Sequence, residues 1–132
     1  MPINYISRSE HNRNARGFEE YARDYLNKLW KVSLKERKIC IAEKFKKKLD
    51  LVTEDHKFIG DAKYYAKLKD PGAQWSAIAE YVWFLEKIDA PNKFLVFGKD
   101  KEVAKGWLKK HSSLVQKIKF YFLSEDKLEE LN

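Results

Sequence analysis

A chain of 132 residues with 44% hydrophobic and 14% aromatic side chains has enough apolar material for one packed domain and too much for global disorder. No apolar run approaches the about 20 residues that cross a bilayer, and the polar stretch Met1–Arg16 lacks the hydrophobic segment of a secretory signal, so a cytoplasmic location without membrane contact is expected. The net charge of +7 points to a polyanionic partner, whereas five scattered glycines without phosphate-loop spacing weigh against a nucleotide-dependent enzyme.

The chain opens on a basic leader, residues 1–16, carrying Arg8, Arg13 and Arg16. From Phe18 to Trp30, apolar side chains at 18, 21, 22, 25, 26, 29 and 30 follow the period of an amphipathic helix. Glu19 falls at the border of that stripe and can reach inward; Glu20 points away. Ile39 and Ile41 mark residues 37–42 as a first strand, and Cys40 between them is expected to be a small core residue. Lys44 and Lys46 to Lys48 then form a basic run leading into Leu49–Thr53 and Phe58–Ala66, two strands joined at Glu54–Lys57 as a hairpin. Asp70-Pro71-Gly72 is a turn, followed by a helix over Ala73–Ile88 whose Trp75, Trp83 and Phe84 recur at helical spacing. With little basic charge between them in sequence, they are expected in the core rather than stacked on bases. Lys93–Phe97 is a short buried strand, Asp100 caps a helix to about Lys110, Lys117–Leu123 alternates as a last strand, and residues 124–132 form an amphipathic tail helix.

The chemistry concentrates on the central hairpin. A period of two puts Asp61 and Lys63 on one face of their strand, an acid beside an ammonium inside otherwise buried sequence. Charges in such positions are retained where they are paired or bind a metal. Asp50 and Asp61, on adjacent strands, could hold one divalent cation, whose Lewis acidity with a neighbouring lysine suits phosphodiester hydrolysis. A plain Asp61–Lys63 ion pair is the simpler alternative.

Gly17-Phe18-Glu19 on the first helix, Leu49-Asp50-Leu51-Val52 on one strand and Gly60-Asp61-Ala62-Lys63-Tyr64-Tyr65 on the next resemble the active-site elements of the PD-(D/E)XK nuclease superfamily. The resemblance extends over about residues 15–123. It implies an α/β fold, a mixed central sheet flanked by helices with the restriction-endonuclease-like αβββαβ core and an added C-terminal helix and strand. It also implies that Asp50 and Asp61 ligate Mg²⁺ or Mn²⁺, with Lys63 and Glu19 completing a catalytic set. Leu49 stands where the name-giving proline would be, Asp61 where glutamate is common, and Gln74 is followed by Ile78, so the Q-x-x-x-Y of the RecB-like subgroup is absent.

Taken together, the expectation is a single domain, residues 1–132, acting as a metal-dependent nuclease, with DNA favoured over RNA. Lys44, Lys46, Lys47, Lys48, Arg13 and Arg16 would contact nucleic acid, and a homodimer or partner subunit would supply recognition that a short chain lacks. The alternatives are an inactive nucleic-acid-binding or assembly module with the same fold, and a structural or protein-interaction domain.

Overall fold

Residues 14–132 are described in a computed structural model. In chain order they form α1 (Ala15–Trp30), β1 (Lys35–Ala42), β2 (Phe45–Val52), β3 (Phe58–Tyr65), α2 (Gly72–Glu86), β4 (Asn92–Lys99), α3 (Lys101–His111), a 3₁₀ turn (Ser112–Leu114), β5 (Ile118–Ser124) and β6 (Lys127–Glu130). The six strands make one sheet in sequence order. β1, β2 and β3 run as an antiparallel meander, β3, β4 and β5 are parallel, and β6 turns back antiparallel. The chain is thus α/β, with a mixed sheet flanked by helices.

Two crossovers stepping in the same direction, β3–α2–β4 and β4–α3–β5, put both helices on one face. There Ile78, Val82 and Leu85 of α2 and Val103, Trp107 and Leu108 of α3 share a core with Leu49, Val52, Ile59, Leu95, Phe97 and Phe120. The opposite face is covered by α1, whose Phe18, Ala22 and Leu26 pack on Leu51, Ala62, Phe94, Val96 and Leu123.

Local signals fix α1 where the site needs it. Asn14, extended at φ −139°, accepts a hydrogen bond from the Gly17 N–H at 2.7 Å, and Lys31 ends the helix in the left-handed region at φ 56°. Phe18 lies flat against Gly98 of β4, where a Cβ would collide with its ring, and stacks on Tyr64 with centroids 5.4 Å apart. Gly98 lies inside β4, beyond the Lys93–Phe97 expected for that strand, and lets the helix approach the backbone. Gly98→Ala is expected to destabilise the domain by about 1–3 kcal/mol through overpacking, read as a lower urea midpoint with an unchanged m-value.

Other expectations need correction. The tail helix is a strand: Glu125, left-handed at φ 51°, turns the chain so that Lys127–Glu130 pairs with Tyr121–Ser124. Cys40 is exposed, because Ile39 takes the inward position and strand alternation sends its neighbour out. Trp83 is 56% exposed rather than in the core, although Phe84 is buried. Of the expected leader, Arg8 and Arg13 lie outside the described residues, while Ala15 and Arg16 already belong to α1.

β2 carries an irregularity that decides the site. Lys35 pairs with Val52 and Arg37 with Leu49, so two steps along β1 face three along β2: Asp50 and Leu51 together oppose Glu36. This is the count of a β-bulge. Its effect shows in the burial, since Leu49 and Val52 enter the core under α2 and α3, whereas Leu51 enters the core under α1.

Candidate active site

The bulge puts Asp50 on the α1 side, opposite Glu36 and near Glu19. Carboxylate oxygens of Glu19, Glu36 and Asp50 lie within 4.8 Å of one another. Oxygens sharing one hard cation at about 2.1–2.5 Å stand roughly 3–5 Å apart, so an all-oxygen donor set of this spacing fits such an ion with little side-chain movement. The three acids open onto a cleft that Arg16, Arg23, Lys35 and Lys48 also line. Lys48 and Glu36 form an exposed pair at 3.5 Å, of little energetic weight in water.

Behind the cleft, Asp50 and Asp61 interlock across the gap between β2 and β3. The ladder between these strands runs only over Leu51–Gly60 and Val52–Ile59. Beyond it, side chains replace backbone partners. The Asp50 N–H donates to Asp61 Oδ1 at 2.8 Å, and the Ala62 N–H donates to Asp50 Oδ2 at 3.2 Å. Asp61 Oδ2 meets the Lys63 ammonium at 2.8 Å, and that ammonium sits 3.1 Å from the centroid of the Tyr81 ring on α2. Both aspartates are buried.

Burial raises the proton affinity of two of these acids, Asp50 and Glu19. Asp50 is pushed up to about 7, first by burial, then by the Asp61 charge and a hydrogen bond to its side chain; the Ala62 N–H and Lys63 oppose the rise. Glu19 also rises, through burial and then Asp50 and Glu36, against Arg23 and Arg16. Burial, reinforced by Asp61 and Asp50, holds the Tyr81 hydroxyl in its neutral form. A cation bound between Asp50 and Glu19 would relieve the repulsion that helps raise them.

Of the four expected residues, the structure gathers Asp50 and Glu19 in the acid cleft; Asp61, expected as the second metal ligand, is not among the three clustered acids and instead accepts from the Asp50 N–H and pairs with Lys63. Asp50 and Glu19 share the acid cleft, while Asp61 and Lys63 are directed toward α2. Glu36 was missed by sequence reasoning, as an exposed polar residue at the start of a strand. The basic run divides as well: Lys48 lines the cleft, Lys47 lies over the Tyr81 and Phe84 rings at 4.9 and 5.1 Å, and Lys44 occupies the β1–β2 turn with φ 64°.

Among known proteins, no family model matches this chain, and neither a curated protein nor a solved structure shows significant similarity to it. Among the described residues no helix is long and apolar enough to cross a membrane.

Proposed function

We propose that this chain is a metal-dependent phosphodiester hydrolase, a nuclease built on a restriction-endonuclease-like αβββαβ core. The observation that carries the reading is the placing of Asp50: a bulge aims it between two further carboxylates, while the Asp-x-Lys pair of the adjacent strand grips it from behind. In this reading Asp50, Glu19 and Glu36 hold Mg²⁺ or Mn²⁺, which polarises a phosphoryl oxygen and acidifies a water. Asp61 holds the Asp50 backbone, and Lys63, itself held on the α2 side by Asp61 and the Tyr81 ring, fixes Asp61 in that position. Arg16, Arg23 and Lys48 at the cleft rim steer phosphates inward. The test is cleavage of single-stranded, duplex and branched DNA and RNA with each metal; activity that EDTA removes supports the reading, and failure to cut any of them overturns it.

One observation favours the second reading, an inactive nucleic-acid-binding or assembly module. Each oxygen of Asp61 already accepts a bond, from the Asp50 N–H and from Lys63, and Lys63 is sandwiched on Tyr81, an arrangement a structural ion pair would share.

Binding distinguishes nucleic-acid partners from general charge attraction. Neutralising Lys46, Lys47 and Lys48 together is expected to weaken DNA binding for all sequences alike. It should also flatten the slope of log affinity against log salt by about one unit for each phosphate no longer neutralised. Changing Lys109 and Lys110, at the far end of α3, is the control; equal losses of affinity from the two sets would contradict a localised site.

A further inference from the structure

We propose that the surface formed by Trp83 of α2, Phe45 at the start of β2 and the lysines over their neighbouring rings binds an unpaired nucleic-acid strand by stacking its bases. This rests on the nucleic-acid reading above and deepens it by naming the substrate class. Trp83 and Phe45 are 56% and 42% exposed. Both flank the buried Phe84 ring, with centroids 5.5 and 5.7 Å from it, and Tyr81 adjoins it at 5.9 Å. The row is interleaved with cations: Lys87 lies 5.4 Å from the Trp83 centroid, Lys47 stands over Tyr81 and Phe84, and Lys63 closes the row on Tyr81 beside Asp61. Sequence alone hid this interleaving, because three of the aromatics come from α2 and two of the lysines from β2 and β3.

The exposed rings of Trp83 and Phe45, set among ammonium groups, match the two repeating features of a single strand, a base with a π-face and a phosphate with a charge. A duplex offers the phosphates but keeps its bases stacked inside. An apolar protein partner would have to desolvate Lys47 and Lys87 without supplying counter-charge.

The test is fluorescence anisotropy of a labelled oligothymidylate in EDTA, against an abasic strand of equal length and charge and a blunt duplex. Wild-type protein is compared with Phe45→Ala, Trp83→Ala and the double variant. These positions are exposed, and circular dichroism verifies that each variant is folded. The oligothymidylate should bind more tightly than the abasic strand, each single substitution should weaken it roughly ten-fold, and the abasic affinity should not change. Equal binding of the two strands, or insensitivity to both substitutions, overturns the proposal. So does a wild-type dimer that Trp83→Ala disperses in sedimentation, which would make this face a contact between copies. Because EDTA removes any cleavage, stacking without nuclease activity would overturn only the catalytic reading, and cleavage without base-dependent binding would overturn only this one.

Discussion

Asp50→Asn is expected to lower metal-dependent cleavage by at least ~10³-fold while making the protein more stable at pH 8. The two effects have one cause. Asp50 is buried beside Asp61 and close to Glu19 and Glu36, so its charge is costly without a cation and needed with one. Asparagine keeps an oxygen to accept the Ala62 N–H but carries no charge. The sign follows from linkage: with its folded value raised to about 7, Asp50 holds a proton in the native state that the unfolded chain has released above its ordinary value of 3.8. Its contribution to stability is complete below that value and is lost as pH rises through about 7. The variant should therefore approach wild type near pH 4 and exceed it at pH 8 by upward of about 1 kcal/mol, or at least roughly 3 °C in Tm. Paired thermal melts at the two pH values check this; a variant less stable at pH 8 would show that the Asp50 charge is satisfied without metal.

Mn²⁺ is expected to stabilise the wild-type protein far more at pH 8 than at pH 6. Carboxylates must be unprotonated to ligate. With the Asp50 carboxyl raised by burial and by the Asp61 charge, a proton competes with the metal at mildly acidic pH, and apparent affinity falls toward tenfold per pH unit. Proton release on binding, measured calorimetrically in two buffers of different ionisation enthalpy, should be close to one per site near pH 6 and fall away at pH 8. Glu36→Gln should weaken the metal response without moving the metal-free melting temperature downward, since Glu36 is exposed. A Tm gain independent of pH and of Glu36 would place the metal elsewhere.

Much of this arrangement was legible in the sequence, and the parts that were not share a physical reason. Asp61 and Lys63 were found as neighbours because a period of two within one strand needs no information beyond that strand. Glu19 was found by the same kind of local argument on a helix, and Asp100 caps α3 as ordinary capping chemistry expects. The bulge depends instead on a count between two strands. Its trace is the run Leu49-Asp50-Leu51-Val52: strict alternation would put Val52 on the same face as Asp50, a conflict between an apolar and an ionised side chain that one extra residue resolves. Without the bulge Glu36 has no reason to meet Asp50, so it went unseen. Trp83 was misplaced because helical spacing reports which residues share a face, not whether anything covers it. The short tail segment Lys127–Glu130 satisfies a helix or a strand pattern equally, and only the edge of β5 decides.

The reading stands or falls on whether the Asp50 cleft holds a cation. The direct measurement is the anomalous difference density of Mn²⁺ in crystals of the wild-type protein grown at pH 8. The account predicts a peak bonded to a carboxylate oxygen of Asp50 at about 2.1–2.2 Å, with Glu19 or Glu36 as a further ligand, and its loss in Asp50→Asn. A peak away from Asp50, or none at millimolar Mn²⁺, would contradict it and leave Asp61 and Lys63 as a structural ion pair.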